Sequence, residues 1–221
     1  MIREVDIDEI SDGRRYRSQD MVKIGCADCS GCSECCRKVD DTIILDPYDI
    51  YELTRGLGAG FDELLTQGSI PAIVLGMADG LLLPHLNIDK EIGACRFLNK
   101  DGRCGIHNFR PGFCRLYPLG RIYENGGFSY FLQVYECPYP NKTKVKIRKW
   151  LGIENLPAYE SFVLEWHDIL AAARKETAAI TSQSETAKYM TAFLKRFYQD
   201  PYDPSQSFYD QFNRRKSSLD Q

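Results

Sequence analysis

The chain has 221 residues, 43% of them hydrophobic and 27% charged, and a formal net charge of -3 at pH 7. This composition is that of a globular protein rather than a disordered one, and the charge gives no bias towards nucleic acid. No apolar run approaches the roughly 20 residues that span a bilayer, and the acidic N-terminus is unlike a signal sequence. We therefore expect a cytoplasmic protein without a nucleic-acid or membrane partner.

The first 140 residues predict short, irregular elements. Residues 11–20 lack a clear periodicity and favour an extended arm or short strands, and the β-branched residues of 42–45 predict a buried strand. Asp46 and Pro47 supply an N-cap and first helical residue for a helix that continues to about Arg55. The further predicted elements are a short helix at about 62–67, strands around 72–75 and 81–88, and a β-hairpin over 120–135 that turns at Asn125-Gly126-Gly127.

After Pro140 the sequence contains no cysteine, and stripes of apolar and aromatic residues at helical spacing predict amphipathic helices. We expect them at about 142–151, 157–176 and 184–198, with a last one that begins at Asp203-Pro204. The predicted fold class is α+β, a small irregular metal-stabilised domain with a β-hairpin and short helices, followed by a C-terminal helical bundle. The expected division is a cysteine-cluster metal-binding domain at 1–140, with its motifs in 22–140, and a helical extension at 141–221.

Nine cysteines give the strongest functional signal. A reducing cytoplasm disfavours disulfides, and an odd number leaves one thiol unpaired in any scheme of disulfides. Repeated two-residue gaps let a turn direct two thiolates at one ion. Five cysteines crowd one loop (Cys26, Cys29, Cys32, Cys35 and Cys36), and four are spread over the following hundred residues (Cys95, Cys104, Cys114 and Cys137).

The sequence leaves the number and kind of metal centres open. Cys35 and Cys36 are adjacent and are expected to diverge, which favours two centres or one polynuclear cluster. Cys26, Cys29, Cys32 and Cys36 have the spacing of bacterial 4Fe-4S ferredoxins, although Arg37 replaces the usual proline. The same cysteines suit zinc. Arginines beside several cysteines either offset thiolate charge or are solvated surface residues; they are Arg37, Arg96, Arg103 and Arg115.

Two motifs resemble the YkgJ-type cysteine-cluster family over about residues 22–140. The first is Cys29-x2-Cys32-x2-Cys35-Cys36, and the second is Cys95-x-Phe-Leu followed by the string CGIHNFRPGFCRLYP at 104–118. The family is described as a zinc- or iron-chelating domain and is related to flagellin lysine N-methylases. The resemblance implies metal ligation by eight cysteines and leaves Cys26 outside the pattern, whereas the ferredoxin interpretation requires Cys26. The implied ligands, which we favour, are Cys29, Cys32, Cys35, Cys36, Cys95, Cys104, Cys114 and Cys137.

Three other side chains in this region are candidates. His107 is a possible mixed Cys/His ligand, with ordinary packing as the simpler interpretation. Arg110 and Arg115 could bind an anionic substrate or cofactor, or donate hydrogen bonds to sulfur and carbonyl groups, and the structural role is favoured.

The sequence leaves several functions open. In the first, the cysteines hold an iron-sulfur cluster, slightly favoured over zinc, that supports a reaction, as in an iron-sulfur-dependent oxidoreductase or a protein N-methyltransferase-like enzyme acting on a protein substrate. The alternative is a non-catalytic zinc- or iron-binding module whose helices contact a partner. A thiol redox switch without metal ranks last.

Overall fold

The computed structural model describes residues 6–27, 32–37, 43–68 and 71–217. It confirms the α+β class, with short elements around the cysteines and longer helices towards the C-terminus. The helices are α1 (Ile7–Ile10), α2 (Glu34–Arg37), α3 (Pro47–Leu57), α4 (Phe61–Thr66), α5 (Gly112–Leu116), α6 (Ile147–Leu151), α7 (Leu156–Ala179), α8 (Gln183–Leu194) and α9 (Phe208–Ser217), with a 3-10 turn at His107–Phe109 and a π-helical turn at Lys195–Gln199. The strands are β1 (Met21–Gly25), β2 (Ile73–Ala78), β3 (Leu81–Leu86), β4 (Ile88–Asp89), β5 (Ala94–Cys95), β6 (Leu119–Glu124), β7 (Gly127–Leu132) and β8 (Thr143–Lys146).

All strand pairing among the described residues is antiparallel and two-stranded. β2 pairs with β3, β4 with β5, and β6 with β7, while β1 pairs with the distant β8. The predicted hairpin is confirmed as β6 and β7. Asn125 and Gly126 form its turn with positive φ angles of 53° and 71°, the conformation that an Asn-Gly pair adopts readily.

The start of α3 confirms the predicted N-cap. The Asp46 carboxylate accepts a hydrogen bond from the Asp49 amide at 2.8 Å, and Asp49 accepts one from the Asp46 amide at 3.1 Å. This reciprocal capping box satisfies two amides that the helix itself leaves unpaired, and Pro47 has no N–H to satisfy. Gly58 ends the helix in the left-handed conformation with φ 65°.

The helix predicted at 142–151 is wrong in its first half. Residues 143–146 form β8, in which Val145 lies opposite Val22 of β1, and only residues 147–151 are helical. The sequence Thr-Lys-Val-Lys alternates β-branched and charged residues, which suits a strand with one face on the core. A sheet thus joins the two predicted parts of the chain, and the expected boundary at residue 140 stays a prediction.

Two other predicted boundaries differ from the structure. The last helix begins at Phe208 rather than after Pro204, because the Asp203 carboxylate accepts hydrogen bonds from Ser205 and Gln206 and holds a turn there. Of the strand predicted at 42–45, Thr42 lies outside the described residues, and Ile44 makes an isolated bridge with His85. In the predicted arm, Ser11 and Tyr16 likewise make single bridges, to Gln133 and Tyr130.

One hydrophobic core connects the cysteine-rich part with the C-terminal helices. The long helix α7 supplies its centre, where Phe162 and Trp166 make edge-to-face contacts with Phe212 of α9. These contacts bury large apolar surfaces away from the cysteines. In the part of the chain that the structure describes, no helix is both long enough and apolar enough to cross a membrane.

Candidate metal centre

Eight cysteines from distant parts of the sequence line a single cavity of about 480 Å³. They are Cys26, Cys32, Cys35, Cys36, Cys95, Cys104, Cys114 and Cys137. Each is a free thiol in the structure. Cys29 lies outside the described residues. The structure therefore brings together the crowded loop and the four distant cysteines, as the sequence predicts.

Short elements deliver these side chains to the cavity. Cys26 directly follows β1, Cys95 ends β5, and Cys114 lies within α5. The backbone of Cys104 forms an isolated antiparallel β-bridge with that of Leu98, which closes the tight loop between them. The carbonyl of Cys137 accepts a hydrogen bond from the Lys142 ammonium at 2.6 Å. Because most of these elements are single turns or two-residue strands, the cavity wall has little regular structure of its own.

The charges that act on Cys114 and on Cys137 come from different thiols, and we group the cysteines accordingly. Burial raises the pKa of Cys114, and the neighbouring Cys95, Cys104 and Cys35 raise it further. Burial also raises the pKa of Cys137, and there the contributing thiols are Cys26 and Cys32. We call Cys35, Cys36, Cys95, Cys104 and Cys114 the Cys35 set, and Cys26, Cys32 and Cys137 the Cys137 set.

The expected divergence of Cys35 and Cys36 stays a prediction. The neighbouring Cys36 thiol makes the largest contribution that raises the pKa of Cys35, ahead of burial. Both residues lie in α2, where neighbouring side chains differ in direction by about 100°, rather than alternating between opposite faces as in a strand. The case for two centres therefore depends on the two sets as well as on this adjacency.

The donor set fits zinc or an iron-sulfur cluster in type and number. Thiolates are the soft ligands that select zinc and iron-sulfur clusters, and each of these groups takes four of them. Among the residues that the structure describes, however, no three His, Cys, Asp or Glu side chains are grouped closely enough to hold one ion. A mononuclear site built from the described cysteines would therefore require some of these side chains to move.

The two candidate arginines have different surroundings. Arg115 is 9% exposed and its guanidinium donates to the carbonyls of Arg110, Asn108 and Leu151, at 2.9, 2.6 and 3.4 Å. Arg110 lines the cavity, and its charge lowers the pKa of Cys35 and Cys104 against the stronger effects that raise them. Arg115 thus joins the turn at residues 108–110 to the end of α6, and Arg110 is the arginine that faces the thiols.

The remaining sequence candidates separate in the same way. Arg103 lines the cavity beside Cys104, whereas Arg37 bonds the Ser33 hydroxyl at 2.9 Å and Arg96 lies over the neighbouring Phe97 ring. His107 lines the cavity and its Nε2 contacts Nη1 of Arg110. Of the arginines that neighbour cysteines in the sequence, Arg103 therefore lies at the thiol cavity, whereas Arg37 and Arg96 have other contacts.

Residues 28–131 match the sequence profile of the CxxCxxCC family, which is described as a putative zinc- or iron-chelating domain. This segment is similar to the CxxCxxCC family. The match includes all cysteines of the Cys35 set as well as Cys29 and Cys32, while Cys26 and Cys137 lie outside it. No curated protein and no solved structure gives a significant match to the chain.

The matched segment contains a buried hydrogen bond that the sequence did not indicate. Asp49, 3% exposed, accepts a hydrogen bond at 2.7 Å from the amide of Gly112, the first residue of α5. Burial raises the pKa of Asp49 to about 6, and the Gly112 amide opposes this shift. The bond fixes the start of the helix that carries Cys114. Nothing in the local sequence could have indicated it, because the two residues are 63 positions apart.

Gly112→Ala should destabilise the protein by about 1–3 kcal/mol, the usual cost of overpacking. A Cβ at this position would lie 2.1 Å from the hydroxyl oxygen of Tyr159, so the start of α5 must shift. Urea unfolding measures the change. Gly127→Ala is the matched control, since its Cβ meets nothing closer than 3.9 Å. Adding Tyr159→Phe should restore part of the loss, and a Gly112→Ala protein as stable as the control would contradict the contact.

Proposed function

We propose that the chain holds metal through the two thiolate sets, with an iron-sulfur cluster bound by the Cys35 set. The observation that carries this proposal is the convergence of eight free cysteines on one cavity. A cluster of several irons separates its ligands more widely than a single ion does, which suits thiols that are not grouped around one point. Four cysteines of this set would hold the cluster, and the fifth would be a neighbouring thiol.

The Cys137 set would form the second site. It has three described thiols, and the two-residue spacing on both sides of Cys29 makes that residue the expected fourth ligand. Cys26, which the sequence motif of the family leaves out, is 3% exposed and belongs to this set. We therefore include Cys26 among the ligands of the proposed second site.

A reaction at the metal, of the oxidoreductase or protein-modifying kind, is the finer part of the proposal. It is supported by the cavity, because a structural metal site is closed by its own ligands, whereas a catalytic one keeps access for a further ligand. Free thiols throughout the described residues agree with a reducing compartment such as the cytoplasm. The alternative is a zinc staple for this loop-rich region, favoured by the short elements that carry the cysteines.

Anaerobic purification followed by metal analysis, a sulfide assay and optical absorption tests the proposal. We expect iron, acid-labile sulfide and a coloured protein. A colourless protein with stoichiometric zinc and no sulfide would replace the cluster by the zinc alternative. A protein that takes up neither metal under reducing conditions would refute both and leave the thiols to redox chemistry.

A further inference from the structure

We infer that the same cavity contains a subsite for a small organic anion, with Arg110 as its principal ligand and Arg103 and Lys149 beside it. The inference deepens the proposed function, on which it rests, because it gives the chemical class of the molecule that would lie next to the metal. The class is a carboxylate or phosphate group carried on a compact apolar body.

Arg110 is the main evidence for this subsite, because one N–H group of its guanidinium has no hydrogen-bond acceptor among the described residues. Its Nε is buried, and no atom of the described residues accepts the proton of that N–H group. Its Nη1 contacts His107, and its backbone carbonyl is fixed by Arg115 at 2.9 Å. A buried charged donor without an acceptor is costly, so it points to a partner that a bound molecule supplies. Carboxylate and phosphate oxygens match the planar guanidinium best.

The cavity wall indicates the rest of the ligand. Three cationic side chains line it, against the two carboxylates of Glu34 and Glu136. Phe113, 46% exposed, and Trp150 give it an aromatic side. The cavity volume of about 480 Å³ falls within the range of about 300–1,000 Å³ that is typical of small-molecule sites. A single zinc ion, held by zinc-sulfur bonds of about 2.3 Å, would fill only a small part of this cavity. The anionic group of such a ligand would contact the cationic side chains, and its aromatic or aliphatic body would contact Phe113 and Trp150.

The competing explanation is that Arg110 only offsets the negative charge of loaded thiolates. It acts in that direction on Cys35 and Cys104. The two explanations differ in what Arg110→Gln removes. Charge compensation predicts a loss of metal, whereas a subsite predicts a loss of anion binding.

Metal-loaded protein is titrated with benzoate and, separately, with inorganic phosphate at constant ionic strength. Calorimetry measures binding, and metal content is determined on the same samples. We expect saturable binding of at least one probe, weakened about tenfold to a hundredfold by Arg110→Gln, as befits the loss of a hydrogen bond to a charged group. Arg110→Lys should retain part of the affinity. Arg148→Gln is the matched control, since Arg148 is exposed in α6 and does not line the cavity.

Preference for benzoate would identify a carboxylate ligand, and preference for phosphate a phosphorylated one; both support the subsite. It would be overturned by the absence of binding of either probe, by equal binding to the wild type and Arg110→Gln, or by a fall in metal content in Arg110→Gln. A wild-type protein that contains no metal would instead refute the proposed function, and the same metal analysis would show it.

Discussion

Replacing Cys95 and Cys104 by serine should remove the metal centre of the Cys35 set and leave that of the Cys137 set. Both residues act electrostatically on Cys114. Cys95 ends β5, which contacts α2, and Cys104 lies in the loop that follows. A serine hydroxyl stays protonated and cannot replace a thiolate ligand. Loss of a side chain that only hydrogen-bonds a metal ligand costs up to about a hundredfold in metal affinity, so loss of two ligands should exceed that.

The reciprocal variant, Cys32→Ser with Cys137→Ser, is the matched control. Each protein is reconstituted with iron and sulfide and, separately, with zinc, and metal content per chain is compared with the wild type. We expect each double variant to lose the contribution of its own set. If either one abolishes all metal binding, the cysteines hold one shared polynuclear cluster and the two-set division is wrong.

The features that could be predicted from sequence are those encoded by neighbouring residues. The capping box needs only Asp46 and Asp49, and the hairpin turn needs only Asn125 and Gly126, so each local sequence is sufficient. The metal signal was equally local, since closely spaced cysteines in a chain expected to be reduced have few other uses.

The features that could not be predicted depend on distant partners. Residues 143–146 become a strand because β1, more than a hundred positions earlier, supplies the pairing edge. The division of the thiols into two sets depends on how five segments pack, and the role of Asp49 depends on Gly112. Periodicity in a single segment carries no information about such contacts, and here tertiary context overrides it.

Removing the metal should loosen the cysteine-rich part of the chain far more than the C-terminal helices. Structural zinc contributes about 10–16 kcal/mol in small zinc-finger peptides, because binding energy becomes folding energy when the site is not preformed. The elements that carry the cysteines are too short to be stable alone. We expect amide hydrogen exchange to accelerate strongly in α2, β5 and α5 when a chelator is added.

The helices α7 and α8 should keep their protection under the same conditions. Their core consists of aromatic contacts such as those of Trp166 with Phe193 and Phe197, none of which involves a cysteine. The sheet of β1 and β8 lies between the two regions, since Cys26 follows β1 and helix α6 follows β8. Exchange measured with and without chelator should show this sheet losing protection together with the thiol cavity. Equal protection throughout the stripped protein would mean that packing alone, rather than metal, holds the cysteines in place.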